Sequence, residues 1–317
     1  MTAFLIRRIG QAIVVVLGVM VLTFVMIHLV PGSAARATLG TRATAERIAI
    51  FNAANGLDRP LAAQFWTYVQ QAAQGNFGIS YSQQQPVSTL IVQRLPRDGL
   101  LLGLSTLLAL AVAVPMGIFQ AVRRGRVADH VFTVVSFVLY SMPDFFFALV
   151  LVAIFSVQLH LLPSQAPQAE TVGGILADPR ALVLPVVTLT LGSLAGLSRY
   201  MRSSALTTLA QDYVRVARAK GLPERLVLSR HVLRNSLLPV ITVLGLSAPS
   251  IVAGAVIAES VFNYPGMGLL FFQAATSKDY PIMLGSTLVV GVATVLGSLF
   301  ADIAYSLLDP RIRHVDA

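Results

Sequence analysis

Two aspartates that lie in or beside long apolar runs are the first candidates for chemistry in this sequence. Asp144 directly follows Pro143, and Asp302 lies in the last apolar run. A carboxylate is costly to place inside a membrane and often marks a solute pathway or a proton relay. An aspartyl protease would need two carboxylates that share a proton, but the Gly-x-Gly-Asp arrangement is absent at both positions.

Asp144 is therefore a candidate for a translocation path, because it follows a proline that disturbs the helix and could line a water-filled passage. A proton-coupled secondary transporter with Asp144 as the carrier is an alternative. Asp302 lies six residues before Leu308, close enough to the end of the last span to pair with Arg311 or Arg313 at the interface.

Other chemistries need residues that the chain lacks or does not space correctly. Cysteine is absent, which excludes disulfides, zinc–thiolate sites and cysteine nucleophiles. No two histidines have the spacing of a metal site, and no Gly-x4-Gly-Lys-Ser/Thr phosphate loop occurs. The histidines are His28, His130, His160, His231 and His314. We predict no catalytic residue, no metal site and no cofactor in this chain.

The composition is that of a membrane protein. Of 317 residues, 56% are hydrophobic and 12% are charged, whereas soluble domains are about 25% charged. No polar segment is long enough for a separate soluble domain, and we expect one membrane domain over 1–317. The net charge of +9 comes from basic residues beside apolar runs, where they act as topology signals and do not indicate nucleic-acid binding.

Six apolar runs are long enough to span a bilayer, which takes about 20 residues in a helix. The first run has no cleavage site at its expected end and is predicted to be a retained span. The third is long enough to require a tilt, a kink at Pro143 or an interfacial first turn. The runs are Ile9–Val30, Gly99–Val122, Val131–Leu159, Ala181–Ser198, Ser236–Ala258 and Ile282–Leu308.

Basic residues orient these spans, because cytoplasmic segments retain Lys and Arg preferentially. With the N-terminus inside, fifteen of the 23 Lys and Arg residues fall in inside segments, and we place both termini in the cytoplasm. The first outside loop, 31–97, has helix-like patches at Ala43–Ala54 and Leu61–Ala73, which indicate a folded cap. The inside loop 199–235 carries eight basic residues against two acidic ones.

The inside loop has the pattern of a helix, a turn and a second short helix. Leu206, Leu209, Tyr213 and Val216 recur at helical spacing and predict one apolar face. Gly221 is suited to a left-handed C-terminal cap. After it, Pro223 can occupy the first turn of the second helix. A solvated basic loop that only satisfies the charge rule is the simpler alternative.

The stretch 212–239, DYVRVARAKGLPERLVLSRHVLRNSLLP, resembles the cytoplasmic coupling loop of ABC importer permeases of the dipeptide and oligopeptide family, in particular the B-type subunit. Further matches follow in the family's order along the chain. They are Arg7 and Arg8, Pro31 and Gly32, Gly56–Pro60, Gly75–Gly78, Ser260–Gly268 (SVFNYPGMG) and Leu308–Arg313 (LDPRIR). The general importer pattern has Glu-Ala-Ala, three residues and Gly. Here Arg215, Val216, Ala217 and Gly221 stand at those positions, a departure that resembles the peptide branch.

This resemblance implies a type I ABC importer permease fold that is all-α and has about six spans. It implies a permease that translocates di- or oligopeptides across the cytoplasmic membrane of a prokaryote. It also implies a second related permease as heterodimer partner, two cytoplasmic ATPases that bind ATP and Mg, and an extracytoplasmic solute-binding protein. Related importers carry nickel, glutathione or other small solutes, and these stay open as alternatives.

The resemblance also implies which residues contact the ATPase. The predicted coupling residues are Asp212, Tyr213, Arg215, Val216, Ala217, Arg218, Ala219, Lys220, Gly221 and Leu233. Gly221 ends the helix, which must be rigid to transmit a push.

Overall fold

The computed structural model describes residues 2–40 and 42–308, with side chains described for 10–40, 42–245 and 254–298. The chain is all-α, as predicted. Within the described residues, β-structure is limited to an isolated bridge between Ile79 and Pro86. The side chain of Asp302 and residues 309–313 of the LDPRIR match lie outside what is described.

The helices follow in this order: α1 (Thr2–Leu29), α2 (Ala34–Leu39), α3 (Ala45–Ala54), α4 (Leu61–Ala73), α5 (Val87–Val122), α6 (Val127–Ser141), α7 (Asp144–Leu151), α8 (Val172–Leu176), α9 (Pro179–Leu209), α10 (Asp212–Ala219), α11 (Glu224–Leu226), α12 (Arg234–Ala253), α13 (Val256–Phe262), α14 (Met267–Ser277) and α15 (Tyr280–Leu308). Two π-helical segments continue α7 and α11, over Val152–Gln158 and Val227–Leu233.

Each of the six predicted spans coincides with a helix or a helix pair. In the described residues, α1, α5, α9 and α15 are long and apolar enough to cross a membrane. The pair formed by α6 and α7, with its π-helical continuation, meets the same criteria but is bent by 98°. The fifth predicted span, Ser236–Ala258, overlaps α12, but α12 ends at Ala253, and after a break at 254 and 255 the last predicted residues belong to α13. The chain is a multi-pass membrane protein.

Of the three options for the long third run, the bend between α6 and α7 corresponds to the kink at Pro143. Met142 and Pro143 are extended, with ψ of 130° and 145°. Proline disfavours helical geometry in the residue before it, so α6 stops at Ser141. α7 then begins at Asp144. The carboxylate of Asp144 lies in the first turn of α7, where it interacts favourably with the positive end of the helix dipole.

The first outside loop is folded, as its helix-like patches predicted. α3 and α4 form within two residues of the expected bounds. Further along the loop, the Asp279 carboxylate accepts hydrogen bonds from Ser80 Oγ at 2.7 Å and from Ser82 Oγ at 2.8 Å. Asp279 directly precedes α15, so the loop is attached to the start of the last span.

The chain divides into two compact units. Unit 1 comprises residues 1–99, 168–172 and 248–299, and unit 2 comprises 100–167, 173–247 and 300–317. Within unit 1, Val87, Leu90 and Ile91 of α5 pack against buried residues of α14 and α15. The expectation of one membrane domain over 1–317 stays a prediction.

Unit 2 is built on the close packing of α5 against α9. A Cβ on Gly117 would lie 2.7 Å from Met201 Cβ and 2.9 Å from Arg202 N, so only glycine allows this approach. By contrast, a Cβ on Gly103 would meet no described atom within 4 Å. Ala109, Ala113 and Met201 continue the same interface as a buried cluster.

Candidate functional site: the α10 knob

The predicted coupling loop forms a short helix, α10, held down along one face. Val214 and Ala217 are buried and pack with Val227 and Val232, which belong to the π-helical continuation of α11. The opposite face carries Asp212, Arg215 and Val216 and is exposed. We call α10 with its cap at 220–222 the α10 knob.

A regular C-terminal cap ends this helix. Gly221 has φ of +79°, in the left-handed region that glycine enters without a Cβ penalty. Its N–H donates to Arg218 O at 2.9 Å, and the Leu222 N–H donates to Ala217 O at 3.4 Å. This pair of bonds is the Schellman arrangement. The helix stop expected at Gly221 is therefore present in the structure.

Side-chain bonds connect the α10 knob to the helix that follows. Arg218 donates to both carboxylate oxygens of Glu224, at 2.6 and 3.1 Å, and these bonds raise the pKa of Arg218 above its ordinary value. The Tyr213 hydroxyl accepts from Asn235 Nδ2 at 3.0 Å. Ser236 Oγ donates to Thr208 Oγ1 at 3.0 Å in the buried layer beneath. The first two contacts thus fix the knob near its start and its end, and the Ser236–Thr208 bond joins α12 to α9 beneath it.

The predicted apolar face of this loop is wrong. α9 ends at Leu209, and α10 begins only at Asp212, so the two leucines of the pattern and the two later residues belong to different helices. Tyr213 and Val216 are 42% and 51% exposed. The break at Ala210 and Gln211 shifts the helical register, which turns Val214 and Ala217 inward instead.

The second helix of the loop is also longer than predicted. α11 begins at Glu224, directly after Pro223, and continues through the π-helical segment into α12. Leu233, at the end of the π-helical segment, packs instead against the cluster that contains Leu194, Met201 and Val240.

The predicted coupling residues therefore separate into three groups. Most of them are exposed on the α10 knob: Asp212, Tyr213, Arg215, Val216, Arg218, Ala219, Lys220 and Gly221. Ala217 is buried beneath it, and Leu233 is half-buried in another cluster.

Asp144 lies away from the knob, against α9. A Cβ on Gly192 would come within 2.5 Å of Asp144 Oδ1, so the carboxylate occupies the space that this glycine leaves. This contact accounts for the small residue at 192, while a role of Asp144 in translocation stays a prediction.

Comparison with known proteins decides the family. Residues 113–314 match the family described as binding-protein-dependent transport system inner membrane component, and residues 1–101 match the N-terminal family of the same systems. The chain belongs to this family. As a member, it is the permease of an ABC importer and works in a complex with other subunits.

Full-length relatives are similar along the whole chain. The oligopeptide transport system permease protein AppB of Bacillus subtilis is 39% identical over 99% of this chain and 100% of its own length. The dipeptide transport system permease protein DppB of Escherichia coli is 35% identical, covering 99% of both chains. The glutathione transport system permease protein GsiC of Salmonella choleraesuis is 36% identical over 99% of this chain and 100% of its own length. The resemblance to the dipeptide and oligopeptide permeases is confirmed.

A pair of buried carboxylates in unit 1 could not be predicted from the sequence. Asp98 and Glu259 are both fully buried. A Cβ on Gly266 would lie 2.3 Å from an oxygen of each, so the two carboxylates are neighbours. They stand 161 positions apart in the chain, and no spacing rule connects them. The only signal was the position of Glu259 directly before the SVFNYPGMG match.

Backbone N–H groups satisfy this pair. Glu259 accepts from Ala255 N at 2.6 Å and from Leu269 N at 2.9 Å, and Asp98 accepts from Met267 N at 2.9 Å. Burial raises the pKa of Glu259, and the backbone hydrogen bonds lower it by less, so the net shift is upward. Through these bonds the Asp98 and Glu259 carboxylates hold the N-terminal ends of α13 and α14 against α5.

Proposed function

We propose that this chain translocates di- or oligopeptides across the cytoplasmic membrane of a prokaryote as one half of a permease heterodimer. The observation that supports this most directly is the identity of 35–39% over the full length to permeases named for oligopeptide and dipeptide transport. Such agreement over the whole chain covers both the spans and the cytoplasmic loop.

Four partners complete the proposed transporter: a second related permease, two cytoplasmic ATPases and an extracytoplasmic solute-binding protein. The α10 knob supports the ATPase contact, because its exposed face carries charged side chains beside Val216 while its base is packed into a buried cluster. A rigid element of this kind can transmit a rigid-body movement to the spans, whereas a flexible loop would absorb it.

The chain itself is proposed to hydrolyse no ATP. Its sequence contains no phosphate-binding loop, and ATP with Mg would bind to the partner ATPases. Energy would then reach the permease only through the α10 knob.

The proposed function is tested by reconstituting the permease with its partners in proteoliposomes. We expect uptake of a labelled dipeptide that requires ATP, the binding protein and both ATPases, and no ATP hydrolysis by the permease alone. Uptake by the chain alone, driven by a proton gradient and insensitive to ATP, would instead support a secondary transporter. Uptake of nickel without peptide uptake would contradict the proposed substrate class.

A further inference from the structure

A cavity of about 540 Å³ lies within unit 2, among α5, α6 and α9. Gln120 of α5 and Ser136 of α6 form part of its wall, together with the aromatic side chains of Phe137 and Tyr140 and the guanidinium of Arg199. Pockets of about 300–1,000 Å³ are typical of sites for small molecules.

Two buried polar groups in this wall have no partner. Gln120 is 2% exposed and Ser136 is 3% exposed. Across the described part of the chain, neither Gln120 Nε2 nor Ser136 Oγ finds a hydrogen-bond partner. Buried polar groups in native proteins are almost always hydrogen-bonded, so each unpaired one calls for an explanation. Acceptor atoms of a ligand in the cavity would give each of these groups a partner.

Two arginines line the cavity, Arg199 and Arg202, and they differ in whether a carboxylate already binds them. Arg202 is engaged by Asp129, with nitrogen–oxygen distances of 2.8 and 2.9 Å. Arg199 lies instead over two aromatic rings, 5.4 Å from the centroid of Tyr140 and 5.9 Å from that of Phe137. No acidic side chain among the described residues forms an ion pair with Arg199.

We propose that this cavity binds the carboxylate end of a small peptide whose last side chain is apolar. The Arg199 guanidinium, with its planar fork of donors, matches a carboxylate. Gln120 Nε2 and Ser136 Oγ supply two further donors to the same group. Phe137 and Tyr140 offer apolar surface to the adjacent side chain. The inference rests on the proposed function and adds to it a subsite for the solute.

The test measures binding to the purified full-length chain in detergent by equilibrium dialysis. The probes are labelled Ala-Phe, its C-terminal amide and inorganic phosphate as competitor. We expect the amide to bind at least about tenfold more weakly than the free acid, because it lacks the charge that Arg199 recognises.

Variants of the wall residues should show the same loss. Arg199→Met and Gln120→Leu should each weaken Ala-Phe binding at least about tenfold, whereas Arg199→Lys, which keeps the charge, should lose less. Arg123→Met is the matched control, since Arg123 stacks on Phe119 at 4.6 Å and is not part of the cavity wall. The Arg123→Met variant should bind Ala-Phe with the same affinity as the unmodified chain.

Three results would overturn the inference: equal binding of acid and amide, unchanged affinity in Arg199→Met, or stronger binding of phosphate than of Ala-Phe. The last result would assign the site to a phosphate anion, such as a lipid headgroup. ATP-driven peptide uptake without Arg199-dependent binding would reject only this inference. Arg199-dependent binding in a complex that transports no peptide would reject only the proposed function.

Discussion

At the scale of single residues, two buried carboxylates stabilise unit 1 by accepting hydrogen bonds from backbone N–H groups. Glu259 accepts hydrogen bonds from Ala255 N, directly before α13, and from Leu269 N, and Asp98 accepts one from Met267 N. Met267 and Leu269 lie in the first turn of α14. Close by, the Tyr264 hydroxyl donates to Arg97 O at 2.7 Å, and Arg97 donates to Glu170 O. Removing one acceptor from such a network leaves buried N–H groups without partners, which is costly.

Glu259→Ala is therefore expected to lower the free energy of unfolding by about 2–4 kcal/mol, because Ala255 N and Leu269 N lose their acceptor. Glu259→Gln should cost less, since the amide oxygen still accepts one of these bonds. Thermal denaturation in detergent, followed by circular dichroism, measures both. Glu46→Ala, at an exposed glutamate of α3, is the control, and a Glu259→Ala variant as stable as that control would contradict the prediction.

At the scale of elements, the α10 knob combines an exposed face with a base that cannot move freely. Its Schellman cap places Leu222 in the same cluster as Val214 and Val227. Arg218 and Glu224 bridge the turn on the outside. Displacement of the knob would therefore be passed to α11 and α12, which continue from it as one helical run.

Gly221→Val should uncouple ATP hydrolysis from uptake while membrane insertion remains intact. A β-branched residue at φ of +79° is strained, so the cap would open and the knob would lose its fixed end. The measurement is the ratio of peptide transported to ATP hydrolysed in proteoliposomes, expected to fall at least about tenfold for a strain of roughly 1–3 kcal/mol.

The control for this variant is Gly125→Val. Gly125 also has a positive φ, of +75°, but lies in the turn between α5 and α6. Its coupling ratio should stay close to that of the unmodified transporter. If Gly221→Val transports normally, the α10 knob is not the element that transmits the movement.

At the scale of the whole molecule, the outward surface is apolar along the spans. Val14 is 70% exposed, Leu22 64% and Leu107 66%. In water such a surface would drive aggregation, whereas lipid chains can cover it. The basic residues between the spans then determine which loops stay in the cytoplasm.

The predicted orientation can be measured by labelling single cysteines, because the chain has none of its own. Gln74→Cys, in the first outside loop, should react with a membrane-impermeant maleimide in right-side-out vesicles. Arg124→Cys, between α5 and α6, should react only in inverted vesicles. The reverse pattern would show that both termini lie outside.

The sequence by itself predicted about six apolar helical runs, a kink at Pro143 as one of three options, the folded first loop and the helix stop at Gly221. These features depend on local properties: hydropathy over about 20 residues, the ring of proline and the conformational freedom of glycine. The ordered motifs by themselves also indicated the permease family.

Only the tertiary structure decided which face of α10 is buried. The apolar pattern predicts one continuous helix, but the break at Ala210 and Gln211 changes the helical register between α9 and α10. The tertiary structure also brought Asp98 to Glu259 across 161 positions, and Gln120 and Ser136 to Arg199 around one cavity. Contacts between residues far apart in the chain depend on how helices pack, and a linear pattern of one sequence contains no distances between its helices.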